Sequence, residues 1–178
     1  MKKISTSRLI LRSLRPSDEK SVNINIRSPE VLEHMRILSY PYDESTTLPF
    51  IKKAIADLEH GLQYVYAICL KKNNDLMGIV ALTHVDRKSS EAEIYYWLGK
   101  EYWRCGYMSE AINAVVDLGL NSLDLRYIFA RVSSANGDSI RLLTKNGFTF
   151  KKSIPNGRFK NGKYYAELIY WIKKSDID

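Results

Sequence analysis

Cysteine is nearly absent: Cys69 and Cys105 are the only two in 178 residues. Two thiols cannot build a disulfide framework or a thiolate-rich zinc site, and free thiols point to a reducing compartment, the cytoplasm. Histidine is also scarce. His34, His60 and His84 lack metal-ligand spacing, so no metal is expected. Long apolar runs are missing too, the longest being Tyr64–Leu70, far short of a bilayer span. Met1-Lys2-Lys3 is basic, but Ser5, Thr6, Ser7, Arg8 and Arg12 interrupt the residues after it, so neither a signal-peptide core nor a membrane partner is expected. There is no repeat, no Gly/Ser linker and no block of five like charges, which excludes a solenoid, a linker between domains and a basic tail.

What is present reads as one globular domain, residues 1–178, since a domain averages roughly 150 residues. Hydrophobic residues make up 45% and charged residues 26%, ordinary proportions for a chain with a packed core. The net charge of +7 favours anionic partners such as nucleic acid, phosphorylated cofactors or acidic surfaces, or it simply solubilises the surface.

Periodicity orders the chain. Arg8–Leu14 alternates as a strand, and Pro16-Ser17-Asp18-Glu19 opens a helix. Val31–Met35 forms a short helical turn and Tyr40–Asp43 a loop. Thr46, Thr47 and Pro49 start a helix with Leu48, Ile51, Ile55 and Leu58 on one face, stopped by Gly61. Tyr64–Leu70, Leu76–Val85 and Glu91–Leu98 are separated by turn-rich segments and read as an antiparallel meander. Met108, Ala111, Ile112, Val115 and Leu118 then recur at helical spacing. Tyr127–Val132 is a strand, Asp138–Asn146 a helix ending at Gly147, and Phe148–Ile154 and Tyr164–Ile172 are strands around a loop, Pro155–Lys163. The expected fold is a mixed α/β sheet.

The chemistry concentrates where the third meander strand runs through a short loop into the long helix. The first turn of a helix holds N–H groups without intrahelical partners, and its dipole adds partial positive charge. Gly106 at that mouth lets an anion approach the backbone, or is a turn residue only. Lys100 and Arg104 flank it. Cys105 has no paired histidine and is read as incidental. Arg158–Tyr165 interleaves cations and aromatics as RNA binders do, but a β-hairpin turn with edge charges accounts for it more simply.

Five segments in order resemble the GNAT N-acetyltransferase superfamily, in the branch of the RimJ and RimL ribosomal-protein acetyltransferases. Thr6-Ser7-Arg8-Leu9-Ile10-Leu11-Arg12 is similar to its T-x-R-L-x-L-R opening. Met77-Gly78-Ile79-Val80 and Glu93-Ile94-Tyr95-Tyr96-Trp97-Leu98 resemble two of its strands. Gly106-Tyr107-Met108-Ser109-Glu110-Ala111 resembles its helix mouth. Asn136, Ser139, Lys145, Gly147 and Phe148 come next at matching spacing.

The resemblance implies the acyl-CoA N-acyltransferase fold, with mostly antiparallel N-terminal strands and a splayed central strand pair. It implies an enzyme that uses acetyl-CoA, without a metal, to acetylate a primary amine. Residues 104–109, that is Arg104, Cys105, Gly106, Tyr107, Met108 and Ser109, would hold the pyrophosphate through main-chain N–H groups. Trp97, Leu98 and Gly99 would bind the pantetheine arm, Asn136 and Ser139 the cofactor beyond it, and Lys145 its adenosine end. Trp103 and Met108 occupy the two ends of the superfamily loop pattern where other residues are usual, and Arg104 stands where the branch commonly has Gly; Arg104 either clamps a phosphate or points to solvent. Residues 28–62 would form the acceptor wall as a variable helical insert.

The nucleophile must be a neutral amine. Deprotonation at pH 7 costs about 1 kcal/mol for an α-amine and about 4.6 kcal/mol for a lysine. One base acting at a distance therefore serves an N-terminus better, and a protein N-terminus is the expected acceptor. Glu93 is the candidate base, or a solvated residue sharing its strand face with Glu91. A main-chain N–H near Leu98 would polarise the thioester oxygen. Ser139 or Tyr170 would protonate the leaving thiolate, Tyr170 being otherwise a packed aromatic. The alternatives are a small-molecule amine or antibiotic acetyltransferase, or an inactive basic module that binds RNA or senses acetyl-CoA; nucleic acid is not the expected partner.

Overall fold

Alternation along the first strands sets up a sheet with a helical layer on each face. The computed structural model describes residues 3–174. β1 (Ile4–Ser5) and β2 (Leu9–Ser13) form an antiparallel edge, followed after a 3-10 turn by α1 (Glu19–Ile26), α2 (Pro29–His34) and α3 (Thr47–Glu59). The meander is β3 (Tyr64–Leu70), β4 (Leu76–Asp86) and β5 (Glu91–Leu98). α4 (Tyr107–Asp117) precedes β6 (Tyr127–Ser133), and α5 (Gly137–Lys145) precedes the hairpin β7 (Thr149–Lys160) and β8 (Lys163–Lys173). The sheet order is β1-β2-β3-β4-β5-β6-β8-β7.

β3 and the first part of β4 are apolar on both faces because both faces are covered. On one face Val22, Ile26, Ile51 and Ala54 of α1 and α3 pack on Val65, Ala67, Ile79 and Trp97. On the other, Ala111, Ile112, Val115 and Val116 of α4 pack on Val80, Leu82, Ala92 and Ile128. A buried fork, Arg12 Nη1 and Nη2 to Asp18 at 2.8 and 2.7 Å, pins β2 to the turn before α1.

The functional geometry comes from one interrupted pairing. β5 and β6 run parallel only from Glu91–Glu93 against Tyr127–Phe129. Beyond that, β5 stays with β4 while β6 tracks β8 along its whole length, so a wedge opens between them. Gly78 lets β4 stay against the end of β5: a Cβ there would sit 2.3 Å from the Trp97 carbonyl oxygen. The expected splayed pair is this wedge.

The expected loop over 155–163 is instead mostly strand. β7 reaches Lys160, and a register shift between Ile154 and Arg158 absorbs Pro155 and Gly157 as a bulge. The turn proper is Asn161-Gly162, both at positive φ, the backbone that tightly joins two twisted strands.

Candidate active site

The mouth of α4 is shaped by two left-handed residues, Arg104 at φ 60° and Gly106 at φ 77°. No side chain caps this helix, so the N–H groups of its first turn keep their donor capacity. Thr6 and Arg8, in the turn between β1 and β2, brace the mouth. The Arg8 Nη1 donates to the Cys105 carbonyl at 2.9 Å, and its Nε donates to Glu110 at 2.7 Å. The Arg8 N–H and the Thr6 hydroxyl both donate to the other Glu110 oxygen. Burial works against the Glu110 charge, but these donors outweigh it and hold its carboxyl below the usual range. Trp103 Nε1 donates to the Leu98 carbonyl at 2.7 Å, tying the entry loop to the end of β5.

A cavity of about 790 Å³ runs from this mouth through the wedge. Arg104, Gly106, Tyr107, Met108 and Ser109 line one end, with Asn136, Ser139 and Lys145. Among the described residues the side chains of Arg104 and Lys145 make no ion pair or hydrogen bond, which leaves two cations beside a row of helix N–H donors. That set suits a polyphosphate such as the pyrophosphate of coenzyme A.

Along the wedge, register decides which groups of β5 face it. The Gly99 N–H donates to the Met77 carbonyl, so residues 95, 97 and 99 spend their backbone groups on β4. The N–H groups of Tyr96 and Leu98 therefore point the other way, into the wedge where β6 has turned off. Ser139, on α5, meets the Tyr96 hydroxyl at 2.6 Å. Burial pushes the Tyr96 phenol up to about 12, against a smaller downward pull from Ser139, so it holds its proton at ordinary pH.

Beyond the wedge, on the α1–α3 side of the sheet, the lining changes character. Glu93, its side chain 13% exposed, lies 3.5 Å from His84 Nδ1 and 3.6 Å from Arg131 Nε. Arg131 Nη1 reaches Glu167 at 3.3 Å, so it bridges two carboxylates. Val31, Met35, Arg36, Leu38 and Phe50 close this chamber from residues 28–62, the segment expected as a wall.

Most of the expected site residues meet on this one cavity: Glu93, Trp97, Leu98, Arg104, Gly106 to Ser109, Asn136, Ser139 and Lys145. Gly99 and Cys105 are in the chain beside it but do not line it. Asn136 also caps α5, accepting the Ser139 N–H at 3.0 Å, and Ser109 is bonded to Asn146 at 2.7 Å. Tyr170 stands apart, packed edge-on against Phe150 on β7. Lys100, expected at the rim, pairs with Glu30, whose carboxyl that contact drives down to about 2. Sequence reasoning gave no site role to Tyr96 or Arg131, weighed His84 only as a metal ligand and read Arg158 only within a hairpin turn. For Tyr96 a signal existed, since it alternates with Leu98 on the strand face that α4 and α5 cover.

Comparison with known proteins bears on this geometry. The family described as acetyltransferase (GNAT) domain matches residues 8–149. The chain is 31% identical over 153 residues to uncharacterized N-acetyltransferase p20 of Bacillus licheniformis, covering 85% of this chain and 84% of that protein. It is 25% identical over 115 residues to the ribosomal-protein-serine acetyltransferase of Escherichia coli, covering 62% and 64%. A solved structure of RimL, a ribosomal L7/L12 α-N-protein acetyltransferase in complex with coenzyme A, superposes with a TM-score of 0.88 at 19% identity, covering 97% and 98%. That likeness shows the fold. Among the described residues no helix is long and apolar enough to cross a membrane.

Proposed function

The chain belongs to the GNAT acetyltransferase family, an N-acetyltransferase that uses acetyl-CoA as co-substrate, and on that premise we propose that its acceptor is a protein N-terminal α-amine, as in the RimJ and RimL branch. The observation that carries this reading is the cavity through the wedge. It joins a helix mouth with free cations to an open chamber with Glu93 at its lining; the cavity's other lining carboxylate, Asp138, pairs with Arg141 at the start of α5. One carboxylate suits an amine that is already about a tenth neutral at pH 7. We further propose the cytoplasm as its location, where thiols such as Cys69 and Cys105 stay reduced.

Acetyl-CoA supplies the thioester whose acetyl group is transferred. The first-turn N–H groups of α4, with Arg104 and Lys145, bind its phosphates. The Tyr96 and Leu98 N–H groups in the wedge polarise the acyl oxygen. Glu93 accepts the ammonium proton, directly or through water, from the chamber side. The Ser139–Tyr96 hydroxyl pair donates a proton toward the leaving sulfur. Tyr170 does not line the cavity, so we give that role to the pair.

Thiol release from acetyl-CoA across an acceptor panel tests the reading. Peptides with a free N-terminus should be turned over, and the same peptides with a blocked N-terminus and free lysines should not. Turnover confined to lysines or small amines would overturn it. Glu93→Gln should cut turnover most at low pH, where less of the amine is neutral; an unchanged pH profile would remove Glu93 as the base.

A further inference from the structure

Arg158 is a buried cation with no carboxylate in contact. It is 7% exposed, yet it lines the chamber beyond the wedge. Its Nη2 donates to the His34 carbonyl at 2.7 Å, at the C-terminal end of α2. Among the described residues its other guanidinium nitrogens have no hydrogen-bond partner, and no carboxylate lies within 4.0 Å of it. Burying a charge without its opposite is among the least favourable arrangements a fold can hold. The bulge in β7 between Ile154 and Arg158 is the local distortion that sets this side chain's place on the strand.

The surroundings supply less negative charge than positive. Three guanidinium groups, Arg36, Arg131 and Arg158, line the chamber with Glu93, while the other carboxylate on the cavity lining, Asp138, pairs with Arg141 at the start of α5. Glu167 lies beneath them: its Oε2 takes Arg131 Nη1 at 3.3 Å, while its Oε1 is buried without a hydrogen-bond partner, with Arg36 Nη1 no nearer than 4.0 Å, so this one carboxylate is shared among three guanidinium groups. Lys160, beside Arg158, adds another cation that meets only the Met35 and Leu38 carbonyls, with Glu33 acting on it at longer range. Burial and the nearby Arg36 both disfavour the Arg158 charge, while Glu167 only partly offsets them.

We propose that Arg158, with Arg36 and Arg131, forms a carboxylate-binding subsite in the acceptor chamber, which selects amines that carry a carboxylate a short chain away from the amine. The proposal rests on the transferase reading, because it describes the second half of the same substrate. A guanidinium fork matches a carboxylate in two parallel hydrogen bonds. The amine then lies toward Glu93 and the anion toward Arg158. A polyamine would bring more cations into an already cationic chamber and is selected against.

Binding of product analogues to the protein saturated with coenzyme A tests this without requiring turnover. N-acetylalanine is compared with N-acetylalanine amide, and N-acetyl-seryl-glutamate amide with its glutamine counterpart, by calorimetric titration. At least one anionic member should bind about ten- to a hundredfold tighter than its neutral partner. Discrimination in the first pair identifies a free α-carboxylate, and discrimination in the second an acidic side chain at the second residue. Arg158→Gln should abolish the preference, and Arg36→Gln, at a more exposed position that a folded protein tolerates, should reduce it. Equal binding within both pairs, or a preference untouched by both variants, overturns the subsite. Failure of the transferase reading looks different: no amine in the panel is acetylated, whatever the binding preference. Acetylation of N-termini with no charge preference overturns the subsite and leaves the N-terminal acceptor standing, whereas acetylation confined to spermidine overturns both.

Discussion

At Gly106 the backbone is left-handed, and any other residue there is strained by about 1 kcal/mol. Gly106→Glu adds a carboxylate in front of the α4 donors, so the stabilisation by acetyl-CoA in a thermal-shift titration should disappear. Gly106→Ala should retain most of it; equal shifts in wild type and the glutamate variant would exclude the helix mouth. Tyr96→Phe removes one half of the hydroxyl pair and should lower kcat about a hundredfold while leaving the KM for acetyl-CoA unchanged. Burial sets the sign of the pH dependence. The folded phenol titrates near 12 and the unfolded one near 10.0, so its contribution to stability is complete below pH 10 and lost as pH rises toward 12. Denaturant melts across that interval should fall less steeply for Tyr96→Phe.

At the scale of elements, two segments a hundred residues apart form one clamp. Thr6 and Arg8 hold Glu110, and Arg8 holds the carbonyl that precedes Gly106. Both segments stand out in the sequence, but nothing local says that one grips the other. Glu110→Gln should cost about 1–2 kcal/mol and lower Tm by roughly 2–8 °C. Because the folded carboxyl lies below its ordinary 4.5, the deficit should be full above that pH and shrink as acid protonates the wild type. A deficit constant through acid would mean that the clamp acts through shape alone.

For the whole molecule, the wedge joins two chambers that sit on opposite faces of the sheet. A ligand threaded through it touches β5, α4 and α5 together and stabilises them as one unit. Acetyl-CoA at about a hundred times its Kd should add about 2.7 kcal/mol, raising Tm by roughly 5–10 °C. An unchanged Tm at that excess would mean that the cavity does not hold it.

Local periodicity was enough to place the meander, the long helix and the order of the elements, because burial on one face repeats every two or 3.6 residues within a single segment. The strand-loop-helix pattern drew attention to the helix mouth, and the family resemblance to Glu93 and Ser139, which the fold brings to one cavity. Pro155 and Gly157 read as a loop because both weaken a strand, and only pairing with β8 shows that a bulge carries them. Arg158 reads in the sequence as an edge charge of a hairpin turn, and nothing local links it to Arg131 or Glu167. Only the tertiary structure joins them, through the β6-β8-β7 order, into a chamber opposite the α4 mouth. That pairing is long-range, and a charge's meaning depends on which opposite charge the fold leaves it without.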